Sequence, residues 1–445
     1  MYCHSGLIDP MLTSAIAPHQ LLKKSAFLLV VKVLASLLAL IFHYLLAKQL
    51  SPSQFGLFSL AMTCLMFSSV FAKQGLDQVM LRFMAKSTVD EMGKLYWIIV
   101  IYALLSACVV ALLIVFGFTF MRDYSPPDEQ LALLVPLIAV LTIIQTFLGI
   151  NSSALNGKEH AISALLFSGL ITFVVAIFLL WYAPVNSAYQ ALMYFTYAAV
   201  IAVVLSFIFV TAKLSPEIWQ IKNGERYDIG KNFFQIFTVS RQVLIISLAA
   251  LATQQLSILI LANYVSLAEL AVFSLALKLS LLMSYPLMVI NMITAPKYAK
   301  LYHNKKYNEF NHLAKNSTQL LFLIASLGVF LLYLTLDDIL SYFGPVYLGS
   351  AVLVKILLIG QWFNLATGSS VSILLMSGHE KLHRRNTLYL TSVNIMALFI
   401  FIPVYGLMAA AIITMVAMAI KNLVSLYFVK KLIYSKTECL ECVNK

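Results

Sequence analysis

Apolar runs of about 20 residues recur from one end of this chain to the other, separated by short stretches that hold nearly all of its charge. That is the length an α-helix needs to cross the hydrocarbon core of a bilayer. No water is available there to bond peptide groups, so a spanning chain must form helices that satisfy their own backbone or close into a barrel. Barrel strands alternate apolar and polar residues over about ten positions, and such segments do not recur here. Composition agrees, with 61% of the 445 residues hydrophobic and 11% charged, against about a quarter charged in a soluble domain. The expected class is an all-α, multi-pass membrane protein.

Twelve spans are predicted, at about 25–47, 55–76, 95–120, 131–151, 162–182 and 189–212, then 243–264, 269–295, 318–336, 348–376, 387–405 and 407–429. The longest polar stretch, 213–236, divides them into two sets of six. An N-terminal bundle at 23–212 and a C-terminal bundle at 237–430 are therefore expected, with tails at 1–22 and 431–445. Residues 1–22 lack the basic and apolar regions of a cleaved signal peptide, so the first span is read as the targeting signal.

Basic residues in short loops are retained on the cytoplasmic side. With both termini inside, only Lys48 and Arg122 fall on the far side, four lysines lie within spans, and the rest of the 30 lysines and arginines sort to the cytoplasm. This requires an even number of spans, in agreement with twelve. The net charge of +12 thus resides in loops, and nucleic acid is not an expected partner.

The four lysines within spans are Lys32, Lys278, Lys355 and Lys421. An ammonium at the centre of a spanning helix costs roughly 2.5 to 3.5 kcal/mol, so it usually faces a wet or protein-lined interior. No aspartate or glutamate lies deep in a predicted span to neutralise them. Lys278, midway along the apolar run 267–296, is where snorkelling is hardest. Lys32 lies about 12 Å into the first span. Lys355 and Lys421 could also reach an interface along their stems. The reading is a cationic cavity that receives an anionic substrate by point-charge attraction. His43 is a candidate for proton coupling, with packing among aromatics as the other reading.

Pro136 and Pro286 mark places where spans bend or stay kinked. In the tenth span Gly360, Gln361, Asn364, Thr367, Gly368, Ser369 and Ser370 crowd together. They are read as a polar wall of the cavity, with a helix-packing face as the alternative. The chain shows no nucleotide-binding glycine loop, no metal-ligand cluster and no deep acid pair, so neither an enzyme nor a cofactor is expected. Cys439 and Cys442 form a single CxxC without a second pair, too little for a zinc site.

Five stretches, LAKQLSPSQFGLFSLA at 46–61, GLDQVMLRFMAK at 75–86, LSILILANYVSLAELAVFSLALKLS at 256–280, ILLIGQWFNLATGSSVSILLMSGHEK at 356–381 and IPVYGLMAAAIITMVA at 402–417, resemble in order and spacing the Wzx-type polysaccharide flippases of the MOP exporter superfamily. That superfamily also holds the MATE drug antiporters and the lipid II flippases. The resemblance implies two six-helix bundles around a V-shaped cavity and alternating access. It also implies movement of a polyprenyl-pyrophosphate-linked oligosaccharide, such as an O-antigen repeat unit, to the outer leaflet of a bacterial inner membrane. Membrane lipids, a glycan polymerase and chain-length machinery are the implied partners. Many relatives carry an acid before the ILIL run, where this chain has Ser257, which counts against a cation-coupled mechanism relying on that carboxylate. A lipid II flippase, a MATE-like drug antiporter, which would need embedded carboxylates, and a scaffold for glycan polymerisation are the remaining readings.

Overall fold

The computed structural model describes the backbone of residues 18–86, 89–124, 129–158, 160–219 and 229–434. Most of the amino-terminal tail, the middle of the 213–236 linker and the chain from residue 435, with Cys439 and Cys442, lie outside the described residues. The structure is helical: α1 (Pro18–Gln49), α2 (Pro52–Lys73), α3 (Leu76–Lys86), α4 (Val89–Tyr124), α5 (Glu129–Gly157), α6 (Ala161–Leu165), α7 (Ile171–Tyr182) and α8 (Ala188–Trp219) form the first half. The second half holds α9 (Ile229–Leu261), α10 (Leu267–Leu281), α11 (Tyr285–His303), α12 (Tyr307–Phe343), α13 (Ala351–Ala366), α14 (Ser370–Met376) and α15 (Glu380–Val429).

Eleven of the described helical segments are long and apolar enough to cross a bilayer. The last of them is two arms. Its helical geometry fails at Gly406 (φ 53°, ψ −131°), and Lys421 lies within electrostatic reach of His383. In one straight helix these residues would stand about 57 Å apart at 1.5 Å per residue, so the chain folds back at Gly406. That supplies the twelfth apolar segment at the predicted break between 405 and 407.

Helix ends follow from local chemistry. Ser51 caps α2, accepting the Gln54 N–H ahead of Pro52 at the first turn, where a missing N–H costs nothing. Ser266 and Glu269 form a reciprocal capping box on α10, which satisfies two orphan donors and explains an acid at the edge of an apolar run. The eighth predicted span is interrupted by a 3-10 turn at Leu282–Ser284 just before Pro286, whereas α5 runs on through Pro136. A π-type turn at Leu166–Leu170 breaks the fifth predicted span.

Side-chain contacts fix an up-and-down order with two ends, named here for Gln49 and Lys73. At the Gln49 end, Gln49 donates to the Leu180 carbonyl and accepts from Val185 N–H, while Gln54 accepts from Ala188 N–H. The largest core cluster runs through both halves, from Phe42, Phe55 and Phe58 to Phe273, Leu357 and Ile402.

The polar residues of the tenth span serve helix packing. Gly360 lies so close to Met415 on α15 that an added Cβ would stand 3.0 Å from its Cα, and buried Gln361 donates to the Met418 sulfur at 3.7 Å. Gly368, at φ +66°, ends α13 where a side chain would overlap the Thr318 hydroxyl of α12. The expected polar wall is therefore a seam inside the second half, because small residues there let three helices approach.

Candidate functional site

The two halves meet chiefly where α2 packs on α10. Gly56 permits this approach, since a Cβ at that position would overlap the Leu267 carbonyl. Ser59, one turn further along α2, stands 3.1 Å from Ser274 of α10. Small residues at both positions bring the backbones together, and the hydroxyls find partners across the seam.

Beside this seam lies a cavity of about 230 Å³ between the halves, with room for several waters. Lys278 enters it from α10. Its ammonium donates to Ser59 Oγ at 3.3 Å and lies 5.1 Å from the centroid of the Phe55 ring. No described carboxylate pairs with it; Lys306 and Glu309, which do form an ion pair, lie outside the cavity. Facing Lys278 from α1 are Ser36 and His43, with Thr63 of α2, Gln255 of α9 and Tyr285 of α11 also in the polar lining.

Lys32 falls on the same stripe of α1. Ser36, Ala39 and His43 line the cavity, and positions 32, 36, 39 and 43 share one helix face. The exposed stripe at Val30, Leu34, Leu37 and Ile41 lies on the opposite side, about 180° around the helix. Lys32 thus stands on the side of α1 turned from the lipid-facing stripe, about 16 Å from His43 toward the Lys73 end.

The other two lysines are elsewhere. Lys421 is half-buried within the second half, near His383. Lys355 lies 4.7 Å from the ring centroid of Tyr333, a residue 54% exposed, and its neighbours one turn either way, Val352 and Ile359, are exposed too. It occupies the outer surface of α13. Four lysines at different depths were expected to border one cavity; the structure brings Lys278 and the Lys32 stripe together with His43 and leaves Lys421 and Lys355 apart.

Above Lys278 the Gln49 end is shut by aromatic contacts across the halves. Phe55 meets Tyr347 with centroids 6.1 Å apart and Tyr44 meets Phe343 at 5.2 Å, while Phe343 and Tyr347, both of the second half, meet each other at 6.3 Å. Edge-to-face pairs of this kind are worth about 0.5 to 1.5 kcal/mol each beyond their buried area. Ser59, Ser274 and Phe55 were not singled out from sequence, because a serine or phenylalanine in an apolar span is ordinary.

Comparison with known proteins places this architecture. The family model described as "Polysaccharide biosynthesis protein" matches residues 21–302. An uncharacterized membrane protein of Methanocaldococcus jannaschii is 20% identical over 418 residues, covering 90% of this chain and 82% of its own length. Among solved structures, an inward-facing multidrug resistance MATE family transporter of the MOP superfamily superimposes with a TM-score of 0.65 at 13% identity, over 92% of this chain and 96% of the other. A Vibrio cholerae MATE transporter gives 0.65 at 12% identity over 94% and 97%. The MATE multidrug transporter DinF-BH, solved with R6G, gives 0.64 at 15% over 95% and 97%. At such identities the likeness is one of fold, a multi-pass transporter fold. The chain belongs to the polysaccharide biosynthesis protein family.

Proposed function

We propose that this protein is a flippase that carries an anionic polyprenyl-pyrophosphate-linked oligosaccharide, of the O-antigen repeat-unit class, from the cytoplasmic to the periplasmic leaflet. The observation that carries the reading is Lys278: a cation in a cavity between two halves, bonded to a hydroxyl and a ring but to no described carboxylate. A buried cation without a fixed counter-ion is costly, and an anionic substrate that pairs with it in transit removes the cost. Lys32, on the same side, gives the anion a second point of attraction toward the Lys73 end. That end is assigned to the cytoplasm by the distribution of basic residues, with both termini on that side. The polyprenyl tail stays in lipid while the halves rock about the α2–α10 seam. In a drug antiporter of this fold the cavity would hold an acid to attract a cation, and among the described residues none lines this one.

The test is removal of the gene followed by mass spectrometry of the lipid-linked intermediates. The expected result is accumulation of a complete pyrophosphate-linked repeat unit shielded from externally added glycosidase. An unchanged intermediate pool with increased drug sensitivity would reject the proposal in favour of an antiporter. Accumulation of lipid II would move the assignment to that substrate.

A further inference from the structure

Geometry decides where the proton of one cavity side chain, His43, resides. His43 Nδ1 lies 2.7 Å from the Ala39 carbonyl oxygen. A carbonyl oxygen accepts only, so Nδ1 carries the hydrogen and Nε2 of the neutral ring carries a bare lone pair. The ring is held edge-on by Phe42, centroids 5.5 Å apart, and by Phe58 at 6.4 Å. No described residue donates to Nε2, and the ring lines the cavity. Opposite it, Lys278 gives one N–H to Ser59 and has others to offer, since an ammonium carries three donors and no acceptor.

The hydroxyl and amide groups of Ser36, Gln255 and Tyr285 can each donate or accept, so His43 Nε2 is the group of the lining that can only accept and Lys278 is its cation. A bare anion satisfies Lys278 and leaves His43 idle. A neutral sugar satisfies His43 and leaves Lys278 uncompensated. A glycosyl phosphate, whose charged oxygens stand beside hydroxyl and amide hydrogens, satisfies both. Resting on the flippase reading, we propose that His43 is a specificity-determining residue, accepting through Nε2 a hydroxyl or amide hydrogen of the sugar next to the phosphate that Lys278 holds. It acts as a lone-pair acceptor and not as the proton carrier that a histidine within a span suggests. The titratable groups sharing this cavity with it are Lys278 of α10 and Tyr285 of α11, with Lys32 on its own face of α1.

The experiment uses the purified full-length protein and two probes at about pH 8, above the second ionisation of a phosphate monoester: methyl phosphate, whose dianion carries no O–H, and glucose 1-phosphate, with affinities read by titration calorimetry. Wild type should favour glucose 1-phosphate about tenfold, the worth of one good hydrogen bond. His43→Leu should bind the two probes alike. His43→Gln should keep the preference, because its amide oxygen accepts a hydrogen without ever titrating. Equal binding of both probes by wild type, a preference surviving in His43→Leu, or its loss in His43→Gln would overturn the proposal. Lys278→Ala should weaken both probes equally. If it weakens neither while His43→Leu still loses the preference, the anion site fails and the acceptor role stands.

Discussion

The ammonium of Lys278 lies 5.1 Å from the centroid of the Phe55 ring, and that same ring meets Tyr347 at 6.1 Å on its way to closing the Gln49 end. One phenylalanine thus joins the cation of the cavity to the contact that seals it. A cation over a ring is worth about 0.5 to 2 kcal/mol depending on how dry it is. An anion that draws Lys278 away from Phe55 and Ser59 would remove that support, and the closed end would loosen when the cavity is filled.

Lys278 separates stability from transport. Lys278→Met keeps an unbranched side chain one atom shorter and removes a charge from an apolar setting, so the protein should melt a few degrees higher, as happens when a functional residue held at a cost is replaced. Transport should fall at least tenfold with the amount of protein in the membrane unchanged. Thermal melts of purified protein and flipping measured in vesicles check the two halves of this expectation.

Gly56 sets how closely the halves approach. A Cβ there meets the Leu267 backbone carbonyl, which cannot rotate away, so Gly56→Ala should force α2 from α10 at a cost of about 1 to 3 kcal/mol. The population should shift toward states open at the Gln49 end by about fivefold or more. Maleimide labelling of a cysteine introduced at Tyr347 reads the shift as faster modification. Gly117→Ala, where nothing lies within 4 Å of the added carbon, should label like the parent.

Lys355 should behave unlike Lys278, although both are lysines within predicted spans. On the outer face of α13 beside exposed Tyr333, it has no place in the cavity, and Lys355→Leu should transport within twofold of wild type. Lys32→Leu should lower transport several-fold, because its stripe lies opposite the exposed face of α1. Vesicle flipping assays on the two variants, normalised to protein amount, decide this.

That contrast shows what could be read without coordinates. The cost of an ammonium in a long apolar run is visible in sequence, so all four lysines stood out. Depth could be estimated by counting residues from the span ends. The direction in which each points is harder to read, because neighbouring helices and lipid tails are equally apolar; on α13 the signal was present, since Gly360, Gln361 and Asn364 lie on the opposite side of the helix from Lys355. On α1 the direction becomes clear once Ser36 and His43 are known to line the cavity. Ser59 and Ser274 stayed hidden for a related reason: a serine inside a helix usually bonds back to its own backbone, as Ser274 does to the Ala271 carbonyl, and only the α2–α10 approach gives the pair a role. The tenth-span cluster erred the other way, since glycines and hydroxyls serve a packing seam as readily as a wet wall.

Gly406 carries the last expectation. At φ 53° and ψ −131° it holds a conformation that residues with a Cβ reach only under strain, of order 1 to 3 kcal/mol, and a β-branched side chain fares worst. The two arms of α15 depend on it: the first packs on α9, where Thr391 meets Thr253 at 3.0 Å, and the second on α13, where Met415 meets Gly360. Gly406→Val should therefore leave both arms helical while weakening their fold-back, lowering the yield of monodisperse protein several-fold. A reporter fused after Val429 should still sit on the same side as one fused before α1 in wild type. In the variant a fraction of chains should expose it on the opposite side, because an unbroken α15 crosses once where the native pair crosses twice. Gly349→Ala, with open space around the added carbon, should match wild type in both measurements. If Gly406→Val does as well, the break is not what folds the arms back, and the packing of α15 on α9 and α13 is enough by itself.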